Sequence, residues 1–131
     1  MGNLDLAKWW MALAGVVLVL VGLLGFIANP LVGSSSGALV PTDSLHNVVH
    51  LGTGVLALFI AFGLRGMALA NGTIGFGILY MVIFAAVLIS PTLFGLFSVP
   101  SNAVVHVIHV SLAVVSLAVG YTARMSLMRT A

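Results

Sequence analysis

Trp9-Trp10-Met11-Ala12-Leu13-Ala14-Gly15-Val16-Val17-Leu18-Val19-Leu20-Val21-Gly22-Leu23-Leu24-Gly25-Phe26-Ile27-Ala28 is an apolar run without a single charge. About 20 residues of helix, rising roughly 1.5 Å each, cross the roughly 30 Å hydrocarbon core of a bilayer. The run is therefore read as a transmembrane helix. Asn29-Pro30 ends it, and Gly33-Ser34-Ser35-Ser36-Gly37 follows with the chemistry of a flexible loop.

Outward from this segment, three more runs of the same kind recur, giving spans at about 9–28, 44–64, 73–89 and 102–121. Pro41-Thr42-Asp43-Ser44 precedes the second and offers side chains that cap the free amides of a first helical turn. Arg65 to Gly72 reads as a short turn, making spans two and three antiparallel neighbours. Ser90-Pro91 stops the third span, Phe94-Gly95-Leu96-Phe97 sits at the interface, and Pro100-Ser101-Asn102 restarts the chain. With 62% hydrophobic and 5% charged residues, the expectation is an all-α membrane protein. Its four transmembrane helices form an up-down-up-down bundle, a single membrane domain over 1–131.

The few charges orient it. Lys8, Arg65, Arg124 and Arg129 fall on the N-terminal segment, the middle turn and the C-terminal segment, so both termini are expected in the cytoplasm. Trp9 and Trp10 fit an interfacial aromatic belt. The length of the first run and the lack of a small-residue cleavage pattern favour a retained span over a signal peptide. Cysteine is absent, which removes disulfides and thiolate ligands. A net charge of +2 resting on so few residues gives no reason to expect a nucleic-acid partner.

The halves resemble each other. Val49-His50-Leu51-Gly52-Thr53-Gly54 lies over Ile108-His109-Val110-Ser111-Leu112-Ala113, and Gly15 then corresponds to Gly77. This is the pattern of a two-fold internal repeat of helix pairs about an axis along the membrane normal.

Leu45-His46-Asn47-Val48-Val49-His50-Leu51, followed by Gly52 and Gly54, resembles the His-Asn-x-x-His signature of a bacterial family of four-helix membrane proteins, the domain-of-unknown-function 4383 family. Phe94-Gly95-Leu96-Phe97 is similar to that family's second-half pattern, and His109 matches its second-half histidine. His106 stands near a position where Asn or Asp is more usual. The resemblance implies a four-span protein of the bacterial cytoplasmic (inner) membrane and implies no activity.

Histidine is the residue type that asks for an explanation. Ionisable groups inside a membrane are costly unless buried in protein, paired or ligated. His46 and His50, one helical turn apart, share a face with Thr53, Ala57 and Ala61. His106 and His109 fall on a stripe with Ala113, Ser116, Gly120 and Ala123. Because small residues are what membrane helices present to one another, all four rings are expected to point into the bundle. They should lie within roughly 10 Å of the non-cytoplasmic surface, on diagonal helices.

Three uses of them compete. Neutral imidazoles serve as polar glue between helices and loops. Alternatively, His46, His50, His106 and His109 bind a cofactor or metal: a haem, a chlorophyll-type pigment, or Zn or Cu. A third use is proton or small-solute handling. No intramembrane Asp, Glu, Lys or Arg supports coupled transport, and no Gly-x-Ser-x-Gly or His-Glu-x-x-His pattern supports hydrolysis. Tyr80, Met81 and Phe84 read as packing, and Phe94 and Phe97 as interfacial anchors. The expectation is a non-enzymatic accessory subunit, in contact with lipid and docked on other membrane protein subunits, with the ligand-binding bundle as its rival.

Overall fold

A computed structural model describes residues 2–130. It contains helices α1 (Asn3–Leu24), α2 (Ser44–Gly63), α3 (Gly66–Ile89) and α4 (Ala103–Arg129), each long and apolar enough to cross a membrane. Two-residue strands β1 (Val32–Gly33) and β2 (Val40–Pro41) pair in parallel within the first long connection.

The helices form two hairpins. In the first, α1 and α2 run antiparallel, with Trp9 against Phe62, Gly15 against Gly54, and Gly22 against Asn47 and Leu51. A Cβ on Gly15 would stand 2.7 Å from Leu58 Cγ and 2.9 Å from the Gly54 carbonyl oxygen. On Gly77 in the second hairpin it would stand 2.8 Å from Leu117 Cγ and 3.0 Å from the Ala113 carbonyl oxygen. The correspondence between the halves thus extends to the contact that lets each pair of backbones approach. Such glycine-mediated closeness drives association in lipid, where apolar surface alone gives helices no reason to leave the acyl chains.

Side-chain hydrogen bonds and an apolar centre join the hairpins. Trp10 Nε1 donates to Ser116 Oγ at 2.8 Å, linking α1 to α4. The indole N–H is turned into the bundle, so Trp10, unlike the exposed Trp9, ties two helices together. Ala7, Ala70 and Ala123 pack together at the end where Lys8, Arg65 and Arg124 lie. Met11, Leu18, Phe76, Tyr80 and Leu112 fill the middle.

Helix extents differ from the apolar runs for local reasons. α1 closes at Leu24 because the Asn29 side chain takes over the chain beyond it. Its Nδ2 donates to the carbonyls of Leu24 and Ile27 at 2.8 and 2.6 Å, while Oδ1 accepts from the amides of Leu31 and Val32 at 2.9 and 2.8 Å. The Gly- and Ser-rich connection is consequently pinned, with Thr42 N donating to the Gly33 carbonyl at 3.0 Å. The segment read as a turn over 65–72 is helical from Gly66, whose φ of +54° makes the reversal, so only Leu64-Arg65 links α2 to α3. These two helices, expected to be neighbours, pack far less on each other than on α1 and α4, their respective partners.

Candidate functional site

Two capped helix starts set the site. Asp43 caps α2, its Oδ1 accepting from His46 N at 2.9 Å, and Asn102 caps α4, its Oδ1 accepting from Val105 N at 3.1 Å. His50 is then the seventh residue of α2 and His109 the seventh of α4. At roughly 1.5 Å per residue, both lie about 10 Å inside their helices. The Cα atoms of α2 and α4 nowhere approach within 8 Å, so only side chains cross this diagonal.

Imidazoles do cross it. The rings of His46 and His50 lie 4.3 Å apart between centroids, and those of His46 and His109 lie 6.3 Å apart. One donor nitrogen from each of His46, His50 and His109 falls within 4.8 Å of the other two. The three residues are 2%, 4% and 2% exposed, and the Nδ1 atom of each lacks a hydrogen-bond partner. A buried polar group left unpaired costs about 1–3 kcal/mol, so three together are an unusual concentration of unmet bonding capacity.

His106 is not part of the cluster. Three residues before His109 on a helix, it is rotated about 60° away from that ring, and it meets the edge of Phe84 on α3 at 6.4 Å. Its side chain is half-buried and its Nδ1 is likewise unpartnered. Of the four histidines singled out from the sequence, three converge and one stands aside.

The surroundings of the cluster include residues whose part the sequence concealed. Phe97, read as an interfacial anchor, is buried and stacks flat on His46, centroids 4.5 Å apart and planes 6° apart. Phe94, by contrast, is 71% exposed. The turn that folds Phe97 inward places Leu93 and Phe94 at φ of 50° and 58°, with Gly95 at 88°. Non-glycine residues in that region cost of order 1–3 kcal/mol each and persist where the surroundings hold them.

Asp43 is the restraint. Its second carboxylate oxygen accepts from Ser98 N, tying the start of α2 to the loop that carries Phe97. Burial alone would raise the Asp43 carboxyl; the amides of His46 and Ser98 outweigh it and hold the group below its usual value of 3.8. The sign follows: the contribution of Asp43 to stability is complete above pH 3.8 and fades as pH falls through the lower folded value. Asp43→Ala is expected to lower stability by about 0.5–2 kcal/mol, as for loss of a helix cap, and to remove that acid dependence. Denaturant titrations at neutral and acid pH check both.

Tyr80, read as packing, closes another side. Its ring lies 5.8 Å from that of His109, and its hydroxyl is 2.7 Å from Thr53 Oγ1. Since Thr53 already donates to the Val49 carbonyl at 2.9 Å, Tyr80 is the donor in this pair. A tyrosine in the middle of an apolar span facing a helix that offers Thr53 was the available signal, because a buried hydroxyl needs a partner.

Two small cavities flank the rings. One, about 50 Å³, is lined by His46, His50, Tyr80, Leu93, Phe97 and His109. The other, about 100 Å³, lies between α1 and α4 and is bounded by His50 and His109 among aliphatic side chains. Pockets for organic ligands typically measure about 300–1,000 Å³, so a tetrapyrrole has no room here, whereas a single ion does.

Together the helices and the buried imidazoles define a four-helix membrane protein with a tri-histidine cluster near one end of the bundle. The family model described as Domain of unknown function (DUF4383) matches residues 8–122, and the chain belongs to that family. No curated protein and no solved structure matches it.

Proposed function

We propose that this protein holds one transition-metal ion, of the zinc or copper kind, between His46, His50 and His109. The observation that carries the reading is the convergence of three buried donor nitrogens within 4.8 Å. Neutral imidazole suits zinc, copper, nickel and iron, and an ion supplies the partner that the Nδ1 atoms lack. Donors about 2.0–2.1 Å from a tetrahedral zinc stand roughly 3.3 Å from one another, so the rings need only a modest inward rotation on binding. Phe97 and Tyr80 shield the ion, and Asp43 holds the shield in place.

The protein is non-enzymatic in this reading. It sits in the bacterial inner membrane with both termini cytoplasmic, Lys8, Arg65, Arg124 and Arg129 lying toward that side and the ion toward the other. Anaerobic titration of purified, chelator-treated protein with Zn²⁺ and with Cu⁺ tests the assignment. One equivalent of tightly held metal, lost in His50→Ala, supports it; no saturable binding of either ion by folded protein refutes it.

A second reading, an accessory subunit docked on a larger membrane complex, is favoured by Gly52 and Gly75. Both face outward, and an added Cβ at either meets nothing within 4 Å, leaving room for another helix to approach. Purification in mild detergent should then recover defined partner chains, and a homogeneous free monomer would count against it.

A further inference from the structure

Resting on the tri-histidine reading, we infer that the ion's open coordination position takes a small uncharged gas molecule, which arrives from the lipid phase through the cavity between α1 and α4. Three protein ligands leave a tetrahedral ion one open position. The 100 Å³ cavity ends on that side of the cluster, with His50 and His109 as its only polar lining. Val17, Leu18 and Val21 of α1, Val40 of β2, and Val105 and Leu112 of α4 are among its walls. Val17 is 46% exposed on the outer face of α1, so the cavity reaches the flank of a helix apolar enough to cross a membrane.

Size and polarity select the occupant. A water's share of liquid is about 30 Å³, so roughly 100 Å³ accommodates a diatomic molecule with ease, yet falls short of the roughly 300 Å³ at which organic-ligand pockets begin. An aliphatic lining offers nothing to an anion, whose transfer from water without a partner is costly. On the opposite side, toward the loops, the cluster meets the smaller cavity of about 50 Å³, narrowed by Phe97, stacked on His46, and by Leu93 and Tyr80. Tyr80 has committed its proton to Thr53. A neutral, lipid-soluble diatomic is the ligand class that fits both the path and the space.

Carbon monoxide on Cu⁺-loaded protein is the probe, since it binds through carbon without electron transfer and reports by its infrared stretch. One CO per copper, with a single narrow band, is expected. Val21→Phe, which fills the cavity, should keep stoichiometric copper and weaken CO at least roughly tenfold, while Val17→Phe, which narrows the cavity at α1, should keep stoichiometric copper and slow CO binding. Val16→Phe, on the exposed surface outside the lining, should leave CO binding unchanged. Copper bound without CO overturns the inference while sparing the metal site, as does CO binding of unchanged affinity in Val21→Phe together with an unchanged rate in Val17→Phe. Absence of copper binding overturns both. Azide added to Co²⁺-loaded protein should leave the visible spectrum unaltered; a shift shows access for anions and overturns the apolar route.

Discussion

His109→Ala protein is expected to lose tight metal binding, while His106→Ala binds as the unaltered chain does. The two residues are three apart on one helix, of the same type and both with an unpartnered Nδ1, so the pair is a stringent comparison. Only His109 brings a donor to the cluster across the diagonal. Its removal leaves His46 and His50, neighbours on a single helix, and the affinity loss should exceed the roughly 10–100-fold that accompanies loss of a partner outside the ligand set. His106→Ala changes the contact with Phe84 and leaves the ligand set whole. Zinc titration with a competing chromophoric chelator distinguishes the variants. Equal losses in both would show that the histidines act through folding rather than ligation.

The second large effect concerns packing. Gly54→Val is expected to disrupt the first hairpin, because a Cβ there falls 2.8 Å from Val19 N and 3.0 Å from the Gly15 carbonyl oxygen. Backbone atoms cannot turn aside as a flexible side chain does, so the helices must separate. Overpacking in well-filled interiors costs about 1–3 kcal/mol, and this position belongs at the upper end. Gly52→Val, two residues away where an added Cβ meets nothing within 4 Å, should be close to neutral. Unfolding in mixed micelles with increasing SDS measures the difference, and equal stability of the two variants would contradict the packing described.

Much of this architecture was legible in the sequence, because the hydrophobic length that crosses a bilayer is written in consecutive residues. Trp9 to Ala28 announced a helix without any knowledge of its neighbours. The capping of α2 by Asp43 and the kinship of Gly15 with Gly77 were legible for a similar reason, each depending on short-range pattern. Helix ends were less so. At Gly66 a positive φ lets a two-residue link do what an eight-residue turn was expected to do, and hydropathy carries no record of φ.

The cluster was visible in part. His46 and His50 lie one turn apart, so their shared face follows from helix geometry alone. That His109 joins them and His106 does not depends on the rotation of α4 about its axis, fixed by contacts such as Trp10 to Ser116 between residues distant in sequence. Phe97 was hidden more deeply. Its inward aim comes from the strained turn at Leu93 and Phe94 and from the bond between Asp43 and the Ser98 amide, neither of which leaves a periodic trace.

Because α2 and α4 keep their backbones apart and meet only through side chains, an ion seated there is a rivet between the two halves of the molecule. Whatever binds the assembled form and not its separated halves stabilises assembly by mass action, by about 2.7 kcal/mol when free metal stands a hundredfold above its dissociation constant. Metal supply would in that way set how firmly the repeats are fastened, making the lifetime of the whole chain in the bilayer a readout of ion availability.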